Sequence, residues 1–82
     1  MVYKTDLATE TLHLQGVGIK PAVRAAELES GDVTMWNYGK KETILGIVKE
    51  TAKTIVFNIK SNDSNYVGTR RLAKDRLVVR ID

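Results

Sequence analysis

Residues 26–38, AELESGDVTMWNY, begin the β-rich part of the sequence and decide how it folds. Residues 27–30 suit one tight helical turn, and Gly31 can take the left-handed backbone that ends such a turn without a Cβ penalty. Residues 33–38 then predict a strand, whose side chains alternate between two faces. Trp36 lies either inside a curled sheet or on its surface as an aromatic platform. We favour the interior, because a small sheet needs a large side chain to close it.

The strands after this stretch are indicated by the alternation of apolar and polar residues. In the clearest of them Ile55, Phe57 and Ile59 are predicted to point inward. The strand before it is apolar on both faces, and Gly46 at its centre permits a sharp bend or bulge. Strands are predicted at residues 33–38, 42–50, 53–60, 66–72 and 76–81.

The last predicted strand, residues 76–81, places arginines among apolar side chains. Its alternation predicts that Leu77, Val79 and Ile81 lie inside and that Val78 lies outside. Residues 73–75 before it are the right length for a single 3₁₀ turn.

Residues 1–20 predict an N-terminal arm with one strand, in which Leu12 and Leu14 alternate with polar residues. Gly16 and Gly18 break this pattern, and Pro21 is expected to close the arm. A strand without a partner in its own domain can lie along a sheet edge or pair with a second copy, so a homodimer through the arm is a further possibility. The predicted organisation is an arm at residues 1–20 and a barrel domain at residues 21–82.

The predicted strands, the bend and the tight turn before the last strand resemble the SH3-like small β-barrel over about residues 22–82. Residues 27–32, ELESGD, are similar to the EL-x-x-GD opening of many SH3-like, KOW-like and phage-type small barrels. The resemblance implies an all-β, five-stranded barrel. It does not extend to peptide-binding SH3 domains, because five aromatic residues are too few for a proline-recognition groove.

The composition excludes several classes of site. The chain of 82 residues has no cysteine and one histidine, His13, so disulfides, zinc ribbons and thiol nucleophiles are excluded, and no cofactor or metal is expected. Glu27, Glu29 and Asp32 cluster without a base or nucleophile, so we expect no enzymatic activity. No apolar run is long enough to span a membrane, and the first ten residues lack a signal-like apolar region, which predicts a cytoplasmic protein.

Positive charge is concentrated in the second part of the chain. Residues 1–30 carry three basic and four acidic residues, whereas residues 31–82 carry ten basic and six acidic residues. This excess favours an anionic partner, either nucleic acid or an acidic protein surface, although a solvated basic face that only maintains solubility is nearly as well supported. The predicted nucleic-acid-binding residues are Lys40, Lys41, Arg70, Arg71, Lys74, Arg76, Arg80, Tyr38 and Tyr66.

The arginines of the last two predicted strands indicate a basic strand face. On paired antiparallel strands, Arg76 and Arg80 would lie beside either Arg70 or Arg71, depending on the register. We therefore expect a non-catalytic module that binds DNA or RNA.

Two alternatives stay open. One is a protein-interaction module, such as a phage-type inhibitor of a host protein, that uses the barrel edge and its aromatic residues. The other is a binder of an anionic nucleotide at Arg70 or Arg71.

Overall fold

A computed structural model describes residues 10–81 of this protein. The strands of these residues pair into a single antiparallel sheet. The predicted all-β class is confirmed. Two 3₁₀ turns, Ala25–Glu27 and Asn37–Gly39, interrupt the strands. The strands are β1 (Thr11–Leu14), β2 (Gly18–Arg24), β3 (Val33–Met35), β4 (Lys41–Glu50), β5 (Thr54–Ser61), β6 (Val67–Ala73) and β7 (Leu77–Arg80).

The sheet has the strand order β1-β2-β7-β3-β4-β5-β6 and is open, with β1 and β6 at its edges. The described residues therefore form seven strands, and the five-stranded barrel expected from the resemblance is not confirmed. Within residues 10–81 no helix is long and apolar enough to cross a membrane.

Strand β4 bends where the sequence predicts it. Its register with β5 shifts between Ile44 and Gly46, and again between Ile47 and Lys49. Each shift places an extra residue in β4, and such bulges increase the local bend and twist of a strand. Gly46 adjoins the first of them, so the mid-strand glycine marks the bend.

The bent sheet curls around one main core. The inward side chains Ile55, Phe57 and Ile59 of β5 are buried, as predicted. Leu72 of β6 and Val78 of β7 belong to the same buried cluster, although three strands separate β6 from β7 in the sheet. The sheet must therefore curl until the inner faces of its distant strands meet.

Strand β7 is buried on both faces, which the simple alternation did not predict. Val78 is fully buried in the main core, whereas Val79 is buried on the other side, in a second cluster with Leu14 and Ala22. The prediction that Val78 lies outside is wrong, and so is the prediction that Ile81 lies inside, because Ile81 is 42% exposed. The β1–β2 hairpin provides the second cover, and its position cannot be deduced from the local pattern of β7.

The predicted arm is part of the sheet from Thr11 onward. Strand β1 pairs with β2, from Thr11 opposite Pro21 to Leu14 opposite Gly18. Pro21 thus lies within β2 and does not close an arm, and β2 crosses the predicted boundary between residues 20 and 21. Because β1 has a partner in its own chain, the reason for a homodimer through an unpaired arm strand no longer holds. Residues 1–9 of the predicted arm lie outside the described residues.

The stretch that opens the β-rich part folds partly as predicted. Gly31 has a positive φ of 96°, which suits the turn before β3. The predicted strand at 33–38, however, ends at Met35, and the chain reverses in the second 3₁₀ turn. Tyr38 has a φ of 64° there, a left-handed conformation that no strand can continue.

Replacing Val79 and Ile81 separately by alanine tests the two-sided burial of β7. Val79→Ala should lower the free energy of unfolding by about 2 kcal/mol, because about 0.8 kcal/mol per buried methylene is lost and a cavity is left. Ile81→Ala should cost less than about 1 kcal/mol, although it removes more atoms, because Ile81 is partly exposed. Urea denaturation measures both values, and a larger loss for Ile81→Ala would contradict the second core.

Candidate functional site

A cleft of about 420 Å³ opens between β1, the second 3₁₀ turn and the inner face of β6. We call it the Trp36 cleft. It brings together four of the residues predicted from the sequence, two on the segment that follows β3 and two on or near the last strands. Its lining residues are Leu12, His13, Leu14, Trp36, Asn37, Tyr38, Lys40, Arg70 and Arg76.

Trp36 is the centre of this cleft. It is half-buried and packs against the main core, so the prediction that it helps to fill the interior is confirmed for one part of the ring. The guanidinium carbon of Arg70 lies 4.2 Å from the ring centroid, and that of Arg76 lies 5.6 Å from it. Both distances are within the range of cation–π attraction. The indole therefore belongs to the core and also holds two cations at the surface.

A ring of contacts fixes the position of Trp36. Its indole N–H donates to Thr34 Oγ1 at 3.0 Å, and this hydroxyl donates to the backbone carbonyl of Glu42 at 3.3 Å. The Glu42 carboxylate accepts two hydrogen bonds from Arg70, at 2.8 Å from Nε and 2.6 Å from Nη2. Arg70 then returns to the face of Trp36. Such a bidentate pair orients the guanidinium plane and offsets much of its charge.

The remaining positive charge of the cleft comes from Lys40 and Arg76. Among the described residues, no carboxylate lies within salt-bridge distance of either side chain. Arg70 uses only Nε and one terminal nitrogen for Glu42, so it keeps further N–H donors. The cleft can therefore attract an anion and donate hydrogen bonds to it.

Tyr38 forms an exposed, fixed aromatic ring at the rim of the cleft. The side chain is 69% exposed, yet its hydroxyl donates to Gln15 Oε1 at 3.0 Å and its backbone N–H donates to Gln15 O at 2.6 Å. A Cβ atom on Gly16 would lie 2.7 Å from Cδ1 of the ring, so the glycine allows the ring to pack on the backbone. Strained, left-handed residues of this kind concentrate at functional sites.

Tyr66 extends the same inner surface along β6. It is 60% exposed, and its ring covers Gly68 so closely that a Cβ atom there would meet the ring. Gly68 is paired with Ile59 and Arg70 with Phe57. Because Ile59 and Phe57 are buried in the core, positions 68 and 70 are on the inner face of the sheet. Tyr66 therefore lies on the side of the sheet that carries Arg70.

The other predicted residues lie elsewhere. Lys74 pairs with Glu50, and Arg80 approaches Asp32 at 3.7 Å. Arg71 is opposite Val56 on the outer face of β6. Lys41 is opposite Met35, and because it precedes Glu42 on β4 it points to the other face of that strand.

The predicted row of arginines across one ladder is wrong. Strand β6 pairs with β5, whereas β7 pairs with β2 and β3, so β6 and β7 are not neighbours. Arg70 and Arg76 nevertheless both approach Trp36, because the curl of the sheet brings the two strands' ends to the same ring. The roles of Gln15 and Glu42 are not indicated by any local sequence signal, since each depends on a contact with a residue more than 20 positions away.

Comparisons with known proteins add no assignment to this geometry. No protein-family model matches the chain, and neither a curated protein nor a solved structure is significantly similar to it. Within residues 10–81 no group of three or more histidine, cysteine, aspartate or glutamate residues could hold a metal ion.

Replacing Glu42 by alanine should release Arg70 from the face of Trp36. The loss of a partly buried, bidentate pair should lower the free energy of unfolding by about 1–3 kcal/mol. Because the chain has one tryptophan, its fluorescence reports directly on this contact, and its emission should shift to longer wavelength as water reaches the ring. The control is Lys74→Ala, which breaks the Lys74–Glu50 pair instead; an equal spectral shift in both variants would contradict the Trp36–Arg70 contact.

Alanine substitutions at Gly16 and Gly31 separate the packing of Tyr38 from backbone strain. Both glycines have positive φ, 75° and 96°, so each substitution should cost about 1–2 kcal/mol. Only the Cβ atom at position 16 would meet another group within 4 Å, which is the ring of Tyr38. Gly16→Ala should therefore reduce the unfolding free energy more than Gly31→Ala. Equal losses in urea denaturation would mean that the ring does not rest on Gly16.

Proposed function

We propose that this protein is a non-catalytic nucleic-acid-binding module that uses the Trp36 cleft. The observation that carries the proposal is that Lys40 and Arg76, without carboxylate partners among residues 10–81, lie in one cleft with Trp36 and the exposed ring of Tyr38. Cations bind the phosphate backbone, and aromatic rings bind the faces of bases. The cleft offers both kinds of contact at one place.

The form of the aromatic surface favours single-stranded nucleic acid. Bases in a duplex already stack on one another, whereas unpaired bases can stack on exposed side chains, each contributing about 1–3 kcal/mol. Tyr38 is held by two hydrogen bonds to Gln15, so little side-chain entropy would be lost on binding. Arg70 covers Trp36 and presents its own guanidinium plane, on which a base can also stack.

We also propose that the sheet is an open variant of the SH3-like small barrel and that the protein acts in the cytoplasm. The curled inner face and the sharply bent β4 support the first point. The additional β1–β2 hairpin would then replace barrel closure by covering the outer face of β7.

A mononucleotide is the second candidate ligand. The volume of the Trp36 cleft, about 420 Å³, falls within the range of small-molecule sites. A thermal-shift measurement with a panel of nucleotides distinguishes the two functions, because a ligand that binds only the folded state raises Tm. A shift with mononucleotides that equals the shift with oligonucleotides would favour this second candidate.

Charge removal from the cleft is the main test of the proposed function. Fluorescence anisotropy with labelled single-stranded and duplex oligonucleotides, at about 50 and about 200 mM salt, should show tighter, salt-dependent binding of the single strands. Lys40→Gln/Arg76→Gln should weaken binding. The ratio of the affinity at about 50 mM salt to that at about 200 mM should fall by about sevenfold, as expected for two lost phosphate contacts.

The matched control is Lys20→Gln/Lys53→Gln, which removes the same charge at two residues that do not line the cleft. This control should retain nearly all of the affinity. No binding by the unmodified protein at the lower salt concentration would contradict the proposal. Equal losses of affinity in the two double variants would show that only the net charge of the protein determines binding.

Tyr38 tests the stacking contribution separately. Tyr38→Asn should lower the affinity for single strands by about five- to 150-fold, the equivalent of about 1–3 kcal/mol, because the ring is lost. Asparagine tolerates the left-handed backbone, so the fold should be kept. Tyr38→Phe retains the ring without its hydroxyl and should bind almost normally. Unchanged affinity in Tyr38→Asn would exclude the ring from the interface.

A further inference from the structure

The outer face of β4, β5 and β6 carries a second set of cations, on the opposite side of the sheet from the Trp36 cleft. Lys49 of β4 and Arg71 of β6 are both paired with Val56 of β5, so the three side chains form one row on this face. With neighbouring strands about 4.8 Å apart, the Cα atoms of Lys49 and Arg71 are about 10 Å apart. Lys60 lies on the same face, further along β5, opposite Val67.

This outer basic face, defined by Lys49, Lys60 and Arg71, lacks acidic residues. The described residues that share it through the pairing of the three strands are neutral. None of its three cations forms an ion pair within residues 10–81, in contrast to Arg70 and Lys74. The neutral residues are Thr43, Gly46, Thr54, Val56, Asn58, Val67, Thr69 and Ala73.

A small cleft of about 110 Å³ lies between Lys49 and Arg71, lined also by Thr51, Thr54 and Val56. The Thr51 hydroxyl accepts hydrogen bonds from the backbone N–H groups of Lys53 and Thr54, at 3.4 and 3.1 Å. It also lies 2.7 Å from Thr54 Oγ1, where either hydroxyl can be the donor, and it can donate to the Thr54 carbonyl oxygen at 3.5 Å. These contacts hold Thr51 and Thr54 together beside Lys49 and Arg71.

These groups suit one phosphate. Lys49 and Arg71 flank a cleft of about 110 Å³, and two cations can form charge-assisted hydrogen bonds with the oxygens of one tetrahedral oxyanion. The backbone of β6 connects this cleft to the Trp36 cleft directly, because Arg70 and Arg71 are adjacent and point to opposite faces. Strand β6 is a sheet edge, so no strand among residues 10–81 lies beyond it.

We propose that the outer basic face binds the backbone of the same nucleic-acid strand that occupies the Trp36 cleft, with one phosphate between Lys49 and Arg71. The strand passes around the edge of β6, from Arg70 on the inner face to Arg71 on the outer face. This inference rests on the proposed function and adds a second surface and a longer binding site to it. A short oligonucleotide reaches the cleft alone, and a longer one reaches both surfaces.

The test measures affinity against length with fluorescein-labelled oligo-dT of about 4, 8 and 16 nucleotides, the span of known single-strand site sizes. Lys49→Gln/Arg71→Gln should leave the affinity for the shortest probe within about twofold. For the longest probe it should lower the affinity. The ratio of the affinity at about 50 mM salt to that at about 200 mM should also fall by about sevenfold, since two phosphate contacts are lost. Both residues are exposed, and a thermal melt verifies that the variant is folded.

The variants distinguish the failure of this inference from the failure of the proposed function. If Lys49→Gln/Arg71→Gln binds the longest probe as the unmodified protein does, the outer face is not a binding surface and the Trp36 cleft is unaffected. If it weakens all lengths equally while Lys40→Gln/Arg76→Gln weakens none, the path around β6 is wrong and the cleft is not the site. If the unmodified protein binds no probe, both proposals fail.

Discussion

The bend of β4 is the constraint on which the rest of the structure depends. Two bulges within ten residues turn the strand sharply, so that the sheet curls around Phe57. Without this curl, Leu72 of β6 and Val78 of β7 would lie too far apart to share a core, because β3, β4 and β5 separate the strands that carry them. The same curl brings Arg70 and Arg76 to one tryptophan. The core and the candidate site are thus two consequences of one backbone feature.

The candidate site is held by polar contacts that are satisfied within the fold. Thr34 is 1% exposed, and its hydroxyl links the indole of Trp36 to the backbone of Glu42. The Glu42 carboxylate then fixes Arg70 over the indole. A buried hydroxyl without partners would be costly, whereas a fully bonded one favours a single arrangement of its neighbours. This ring of contacts leaves the cleft shaped before any ligand arrives.

The distribution of charge separates structural cations from those available to a partner. Arg24, Lys74 and Arg80 form ion pairs at the surface, and Arg70 is joined to Glu42. Lys40 and Arg76 at the cleft have no such partner among the described residues. Neither do the cations of the outer basic face. The two surfaces meet at the edge strand β6, and the proposed path of one nucleic-acid strand depends on this arrangement.

The sequence by itself determined the all-β class, the inward residues of β5, the bend beside Gly46 and the excess of positive charge in residues 31–82. These are local properties, since alternation, glycine and charge are read over a few residues. Only the tertiary structure decided the strand order, the second core behind Val79 and the end of β3 before Trp36. It also decided that Arg70 faces Trp36 while Arg71 faces outward, because the inner side of a strand is set by its partners and by the curl of the whole sheet.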